Sequence, residues 1–245
     1  MSIEIDLSFD FRSDTPPGKD PDALSPTLRL YHKQLWGRSL PNGQKFTLND
    51  SLSPTKAYLT HTSKIGNFEL SSDSVISTFT RWKRMQSIVN QIDEAQNEAF
   101  RALGYTMGGM ILWPRRSNEG FRSINVMRGF NSKIADRMDL TLECVKRHYV
   151  QKPNPLDGVL NANREFFKIF VNFEGYVSHF LLQDLIESAS GEVKFFMPFN
   201  DFAGSSRPED LDAYLKYREN SMDFVRARNQ RINKLCQGLA WEDNL

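Results

Sequence analysis

Basic residues are concentrated in one segment of a chain that is otherwise neutral. The 245 residues include 31 Lys and Arg against 30 Asp and Glu, which gives a formal charge of +1 at pH 7. Overall charge therefore does not favour tight binding to nucleic acid or to anionic membranes, and any anion site must be local. Between positions 114 and 133 the charged residues are Arg115, Arg116, Arg122, Arg128, Lys133 and the single acid Glu119. This segment is where the sequence favours an anion site.

Within this segment the pattern predicts a strand that turns into a helix over residues 125–137. Gly129 permits a tight turn, and the helical spacing of apolar residues resumes after Ser132, a residue type that often caps a helix. Free backbone N–H groups at a helix start and the positive end of the helix dipole both favour an anion. We therefore expect a phosphate or carboxylate at this turn. The alternative is a solvated turn with a basic rim.

Five polar side chains in and after the turn are the candidate ligand contacts. Arg128 and Lys133 would hold the phosphate, and Arg137 would orient it. Asn125 would exchange a hydrogen bond with the ligand or satisfy the turn, and Arg147 on the following helix would clamp the substrate. On this hypothesis Arg128→Ala abolishes ligand binding and leaves the melting temperature within a few degrees.

Acids on the predicted helix are the candidate catalytic residues. Asp136, Asp139 and Glu143 cluster opposite the apolar stripe, and His148 lies at its boundary. These four side chains would supply general-base functions or bind Mg²⁺, the one metal that the pattern indicates. The alternative is a solvent-exposed face on which Glu143 pairs with Arg147 one turn later.

Two side chains on that helix are expected to be half-buried and to need partners. Arg137 and His148 fall between its polar and apolar faces. Asp184, on a later apolar helix, is the best unassigned carboxylate to pair with them. His179, on the same later helix, fits either a buried acid–base pair or a hydrogen-bonded core histidine.

Several common catalytic motifs are absent from the sequence. It contains no GxxxxGK[ST] loop, GxGxxG fingerprint, GxSxG elbow, HExxH motif or Cys/His ligand cluster, which disfavours P-loop NTPases, α/β hydrolases and zinc enzymes. The cysteines, Cys144 and Cys236, lie far apart, as is typical of a reducing compartment. The N-terminus is acidic and no apolar run is long enough to span a membrane. We therefore expect a cytoplasmic protein without a membrane partner.

Residues 1–77 are predicted to be rich in strands and loops. Apolar residues alternate with polar ones over residues 3–11, which predicts a strand, and prolines with a glycine make 13–22 a loop. A short helix is predicted at 25–37, opened by a serine and a proline and stopped by a glycine. Residues 38–77 carry weaker signals and are expected to form strands or irregular structure.

Residues 78–245 are predicted to be mainly helical. Helical spacing extends over residues 79–103, which predicts the first long helix. Apolar runs at 106–113 and 123–127 flank a polar stretch and predict a hairpin. The next helix is predicted to follow at 132–149.

The last part of the chain adds helices and one strand. Residues 155–170 and 174–188 predict helices, and the second, apolar nearly all round, is expected to be central and buried. A strand is predicted at 192–199, and a long final helix runs from a capping-box spacing at 206–209 to Cys236. Strands and helices do not alternate regularly. We therefore predict one α+β domain over the whole chain, with a mixed or antiparallel sheet and several long amphipathic helices around one buried helix.

Several stretches of the chain resemble a family of uncharacterised bacterial proteins. They are residues 9–19, 106–114, 123–129, 134–149, 173–177 and 180–185. In that family glutamine and alanine often stand where this chain has Val126 and Met127, so the turn is more apolar here. The resemblance spans most of the chain and implies a bacterial, cytoplasmic protein. It implies no reaction and no catalytic residue.

The sequence leaves two functions from different classes open. The first is a protein that binds or processes the phosphate of a nucleotide or nucleic acid at residues 125–137. The second is a non-catalytic interaction or regulatory protein, a homodimer or one with a protein partner, whose long helices at 79–103 and 208–237 form the partner surface. The basic run at 81–84 is predicted to be a solvated face, although basic residues beside a tryptophan can also hold nucleic acid.

Overall fold

The computed structural model describes residues 4–51, 59–115 and 123–238. Within these residues the chain forms ten α-helices and one four-stranded antiparallel sheet, which confirms the predicted α+β class. The strands are β1 (Asn49–Asp50), β2 (Leu59–Thr62), β3 (Asn67–Ser74) and β4 (Met110–Arg115). The helices are α1 (Pro21–Leu24), α2 (Pro26–Trp36), α3 (Gln86–Val89), α4 (Glu94–Gly104), α5 (Ile124–Phe130), α6 (Met138–Tyr149), α7 (Asp157–Ala162), α8 (Arg164–Lys168), α9 (Phe173–His179) and α10 (Leu211–Cys236).

The sheet has the strand order β1-β2-β3-β4, with every neighbouring pair antiparallel. On β3, Leu70 lies opposite Leu59 of β2 and Pro114 of β4. β4 contains the short apolar run seen in the sequence, and its apolar residues are almost fully buried in the sheet, as is typical of such a run. α1 packs on β3 and α5 packs on β4, so two helices cover the neighbouring strands at one end of the sheet.

Buried apolar side chains form one contiguous cluster, and α10 contributes its buried apolar side chains to it. Near its C-terminal end, α10 buries Arg228 completely. The guanidinium donates to the backbone carbonyls of Gly108 at 2.9 Å, Met110 at 2.8 Å and Phe180 at 2.9 Å. These hydrogen bonds join the start of β4 to the C-terminal half of the chain. Arg228 is therefore a core residue.

The strand predicted at 3–11 is wrong for the described residues, 4–11, which form turns and irregular backbone. Short polar side chains bind the local backbone: the Ser8 N–H donates to Asp6 Oδ1 at 2.9 Å, and the Arg12 N–H donates to Asp10 Oδ1 at 2.9 Å. Such bonds compete with sheet formation. The alternating burial survives, and Phe11 is fully buried.

The helix predicted at 79–103 is also wrong as one element. Phe79 has a left-handed backbone with φ 56°, and a single 3₁₀ turn leads into the short helix α3. α4 then starts separately, because the Asp93 side chain accepts a hydrogen bond from the Ala95 N–H at 2.9 Å and caps it. The cap at Asp93 therefore starts a new helix, although the helical spacing of apolar residues continues through this position.

The predicted hairpin is wrong, because β4 pairs with β3 and the second segment is helical; only its first strand is present, from Met110. The first apolar run forms β4, but the second is the start of α5, because Ser123 Oγ accepts from the Val126 N–H at 3.3 Å and caps a helix. Residues 116–122, between the two, lie outside the described residues. The predicted strand and turn at 125–137 are therefore a helix followed by a loop. α6 begins at Met138, and no side chain caps it, so the predicted cap at Ser132 is wrong.

The C-terminal helices are shorter than predicted, except the last. The segments 155–170 and 174–188 contain α7, α8, α9 and a 3₁₀ turn, and the strand predicted at 192–199 forms one bridge, between Ile186 and Val193. The long final helix is confirmed as α10, but Asp210 is its cap, so the predicted capping box at 206–209 is wrong. Five of the seven residues of α9 are buried, as expected for the segment 174–188, and the first eight residues of α6 are all buried as well.

The described part of the chain contains no helix long and apolar enough to cross a membrane. Cys144 and Cys236 are both free thiols, and Cys144 is buried.

Candidate functional site

The largest cleft in the described part of the chain has a volume of about 550 Å³. Its walls come from α1, β3, the loop after β3, the end of α4 and the start of α5. The lining side chains that could contact a ligand most directly are Asp22, Asp73, Arg81, Asn125, Phe130 and Asp136. The cleft is thus polar, with both charge signs and one exposed aromatic ring.

Two acids of the cleft are brought together by the packing of α1 on β3. Asp20 caps α1 by accepting from the Asp22 N–H at 3.1 Å, and Pro21 occupies the first turn, where its missing N–H costs nothing. β3 carries Asp73 within a run of serines, of which Ser71 and Ser72 are buried. A short capped helix and a polar strand therefore place two carboxyl groups in one cleft.

Arg128 lies beneath these acids and is fully buried. Its Nη1 donates to Asp73 Oδ2 at 2.6 Å and to Ser74 O at 3.0 Å, its Nη2 to Asp136 O at 3.1 Å, and its Nε to Thr141 Oγ1 at 3.2 Å. Burial works to lower the pKa of Arg128, but the charges of Asp136 and Asp73 outweigh it and raise that pKa. Each guanidinium nitrogen contacts protein, so Arg128 holds the acids rather than a ligand.

Asp136 joins the buried arginine to an exposed one. Its Oδ1 lies 3.3 Å from Arg128 Nη1, and its Oδ2 lies 3.4 Å from Arg81 Nη2. The backbone is left-handed at both Ala135, with φ 48°, and Asp136, with φ 65°. Such a conformation costs about 1 kcal/mol or more for a residue with a Cβ, and proteins concentrate it at functional positions.

Both neighbouring acids hold protons more tightly than an ordinary carboxyl group. Burial raises the pKa of Asp73 to about 6, although the charge of Arg128 opposes the rise. Burial, followed by the negative charges of Asp73 and Asp20, raises the pKa of Asp22 well above its usual value. Two such carboxyl groups in one cleft can give and take a proton near neutral pH.

Three acceptor oxygens of the cleft are buried and accept no hydrogen bond: Asp22 Oδ1, Asn125 Oδ1 and Asp136 Oδ1. Asn125 Nδ2 donates to Ser72 O at 3.0 Å, which leaves the amide oxygen unsatisfied. Asp136 Oδ1 has only its ion-pair contact with Arg128. Because buried polar atoms are normally hydrogen-bonded, these oxygens call for donors from a ligand or from water.

Three arginines, Arg81, Arg101 and Arg115, also line the cleft. Arg101 is held by Glu94 and Glu98 on its own helix. The side chain of Arg81 is 50% exposed and reaches Asp136 over Gly129, where an added Cβ would lie 2.3 Å from Arg81 Nη1. Gly129 therefore makes room for the arginine at the mouth of the cleft.

Ser72 also lines the cleft, and it contacts a buried histidine. The Trp36 Nε1–H donates to His32 Nδ1 at 2.9 Å, so Nδ1 carries no proton and the neutral ring is protonated at Nε2. That Nε2 donates to Ser72 Oγ at 2.9 Å. Burial lowers the pKa of His32 to about 3. His32 is therefore a hydrogen-bond donor to Ser72 and not the base of a serine nucleophile.

The candidate residues predicted on α6 do not converge. Arg137 and Asp139 form a buried ion pair, and Asp139 Oδ2 also accepts from the Phe196 N–H at 2.9 Å. Glu143 pairs with Arg147 at 2.7 Å, as the helical spacing indicated. These four side chains stabilise α6 and its neighbours.

Other predicted residues lie away from the cleft. Lys133 lines a second, smaller cleft beside α10, and His148 contacts Phe167 with ring centroids 5.2 Å apart. Asp184 pairs with Arg231 at 2.9 Å, so the predicted pairing with Arg137 or His148 is wrong. Of the predicted site residues, the large cleft gathers Asn125 and Asp136, with Arg128 beneath it.

The predicted acid cluster for Mg²⁺ is not formed, because Asp136, Asp139 and Glu143 each pair with a different arginine. Throughout residues 4–51, 59–115 and 123–238, no three His, Cys, Asp or Glu side chains are grouped so that they could hold a metal ion.

Sequence reasoning missed Asp22 and Asp73, and it named Arg81 only within the basic run at 81–84, with a solvated face as the favoured interpretation. The available signal was the run from Ser71 to Ser74, four polar residues directly before the apolar pair at 75–76. A polar run inside a strand that is covered on both sides indicates a cleft rather than a core.

A family model matches residues 5–232 of the chain. The chain belongs to the family of unknown function DUF6994. The DUF6994 match includes every lining residue of the large cleft and ends within α10. No curated protein and no solved structure matches the chain.

Proposed function

We propose that this protein binds a nucleotide, or the phosphate-bearing end of a nucleic acid, in the cleft between α1, β3 and α5. The proposal rests on one observation: the same cleft contains buried acceptor oxygens without hydrogen bonds and an exposed arginine. The oxygens are Asp22 Oδ1, Asn125 Oδ1 and Asp136 Oδ1, and the arginine is Arg81. A ligand that fits must carry hydrogen-bond donors for the acceptors and an anion for the arginine. A sugar phosphate unit carries both.

Arg81 is the proposed phosphate contact. Its only ion-pair partner among the described residues is Asp136, at 3.4 Å, and half of its side chain is in water. A phosphate offers a guanidinium two parallel hydrogen bonds, which are stronger than a 3.4 Å contact with one carboxylate oxygen. This proposal keeps the predicted ligand class and moves the anion contact from Arg128 and Lys133 to Arg81.

Asp22 and Asp73 are the proposed acid–base pair for processing the bound ligand. The carboxyl group of Asp22 keeps its proton to a higher pH than an ordinary carboxyl, and Asp73 is fixed by Arg128 at 2.6 Å. In this arrangement Asp22 donates a proton and Asp73 accepts one. Asp22→Asn keeps an acceptor oxygen but loses the acidic proton, so it is expected to retain ligand binding and to stop turnover, as followed by chromatography of incubated nucleotides.

A partner surface on long helices has less support. The predicted helix at 79–103 is interrupted, and α10 buries Tyr217, Val225 and Arg228. We further propose that the protein is bacterial and cytoplasmic. The two free thiols support the cytoplasmic location, because unpaired cysteines are typical of a reducing compartment.

Calorimetric titration tests the binding proposal. The ligands are ribonucleoside 5′-monophosphates and short single-stranded oligonucleotides, titrated into the wild type and into Arg81→Gln. Loss of a charge-assisted contact is expected to weaken binding by about 10- to 100-fold. Arg226→Gln is the control, because Arg226 is 56% exposed on α10 and does not line the cleft. Unchanged affinity in Arg81→Gln, or no binding by the wild type, would contradict the proposal.

A further inference from the structure

Phe130 is the most exposed large hydrophobic side chain among the described residues, at 65%. It is the last residue of α5 and lines the mouth of the polar cleft. No core packing explains an aromatic ring in that position. An exposed ring at the edge of a binding cleft offers a flat apolar surface to whatever the cleft holds.

The ring is paired with the proposed phosphate contact. The Arg81 guanidinium carbon lies 5.8 Å from the centroid of the Phe130 ring. Gly129, directly before Phe130, leaves the space through which Arg81 passes. One ligand at the mouth can therefore contact both the ring and the guanidinium.

We infer that Phe130, with Arg81 beside it, is a stacking platform for a nucleobase. The inference rests on the proposed function and narrows its ligand to a compound that carries a base as well as a phosphate. The base covers the exposed ring, the phosphate meets Arg81, and sugar hydroxyls donate to Asp22 and Asn125. Stacking of a base on an aromatic side chain is tolerant of base identity, so all common bases are expected to bind.

A free nucleotide and the end of a single strand share this chemistry, and the ligand set separates them. Titrations use a ribonucleoside 5′-monophosphate, a single-stranded trinucleotide and ribose 5-phosphate, which has the sugar and phosphate without the base. Tighter binding of the trinucleotide than of the monophosphate assigns the site to a strand end. Equal or weaker binding of the trinucleotide assigns it to the free nucleotide.

The deciding variants are Phe130→Ala and Phe130→Trp. Loss of the ring is expected to weaken binding of the base-bearing ligands by about 5- to 100-fold and to leave ribose 5-phosphate within about twofold. Phe130→Trp is expected to restore the affinity. The matched control is Val150→Ala, because Val150 is 58% exposed, follows α6 and does not line the cleft.

Two results would overturn the inference while the proposed function stands: wild-type protein that binds ribose 5-phosphate as tightly as the nucleotide, or Phe130→Ala with wild-type nucleotide affinity. A wild-type protein that binds none of the three ligands would overturn both proposals. Because Phe130 is exposed, the alanine variant should have the same melting temperature as the wild type, which thermal unfolding measures.

Discussion

Arg128 binds Asp73 from beneath the cleft, with Nη1 and Oδ2 2.6 Å apart and the guanidinium fully buried. Removing either the buried arginine or its carboxylates would leave a buried charge without a partner, which destabilises the fold. The acids of the cleft are therefore fixed by a charge that a ligand does not reach. The pair makes the stability of the fold and the geometry of the site depend on each other.

Removing this arginine should destabilise the protein. Arg128→Ala leaves Asp73 Oδ2 and Thr141 Oγ1 without a donor, and breaking a buried ion pair costs about 3–5 kcal/mol. The sequence alone had predicted an unchanged melting temperature for this variant, and the burial of Arg128 reverses that expectation. Urea unfolding measures the loss, with Arg226→Ala as a surface control. A loss below about 1 kcal/mol, the range of an exposed pair, would contradict the buried geometry.

A methyl group at Gly129 should displace Arg81 without harming the fold. The added Cβ would lie 2.3 Å from Arg81 Nη1, the flexible end of a half-exposed side chain, so the arginine moves and the helix does not. Ala also favours a helix over Gly by about 0.5–1 kcal/mol. We expect Gly129→Ala to unfold no earlier than the wild type and to bind nucleotide as weakly as Arg81→Gln. Adding Gly129→Ala to Arg81→Gln should change affinity little, and a further large loss would argue against displacement.

Acid should weaken the fold through His32. Burial lowers the pKa of His32 to about 3, whereas the unfolded value is about 6.5, so the unfolded chain binds more protons between these values. Stability is thus present above pH 6.5 and falls on acidification, by about 1.4 kcal/mol per pH unit for this group. Urea unfolding at pH 7, 6 and 5 measures the slope.

His32→Gln isolates this contribution. Glutamine can accept from Trp36 Nε1 and donate to Ser72 Oγ, but it does not titrate. Asp73, whose raised pKa of about 6 acts in the opposite direction between about pH 4 and 6, is present in both proteins and cancels. Identical slopes for wild type and variant would show that His32 is not the group that titrates.

Gly109 should tolerate no side chain. A Cβ there would lie 2.1 Å from the carbonyl oxygen of Gly104. That oxygen belongs to the backbone, so it cannot move aside as a flexible side chain could. Relief requires α4 to move away from the start of β4, so we expect Gly109→Ala to lose about 3 kcal/mol of unfolding free energy. Gly66→Ala is the matched control, since its Cβ would contact the Phe68 ring at 3.4 Å or more. Equal stability of the two variants would contradict the close packing.

Local signals predicted the elements that local interactions form. The helix at 25–37 is correct because Ser25 caps α2 and Gly37 ends it, and both signals lie within the element. The same physics explains the failures: the cap at Ser123 turned an apolar run into α5, and the Asp93 cap divided a long helical pattern. Hydrogen bonds from short polar side chains outweighed hydrophobic periodicity at these positions.

The site was only partly predictable for a different reason. Asp136 and Asn125 were found because they belong to one continuous segment. Asp22 and Asp73 come from α1 and β3, and they meet only because those elements pack together. No spacing in the sequence records that packing. The burial of Arg128 likewise depends on the sheet above it, so its charge pointed to the correct region and to the wrong role.

The position of Arg228 in α10, far after β4 in the sequence, bears on how the protein is made. The carbonyls of Gly108, Met110 and Phe180 share this one guanidinium, and α10 is the last described element to be synthesised. A nascent chain on the ribosome lacks that donor until residue 228 has emerged. The core around β4 is therefore completed only after α10 has been translated, more than 100 residues after β4, and until then its apolar surface is open to chaperones.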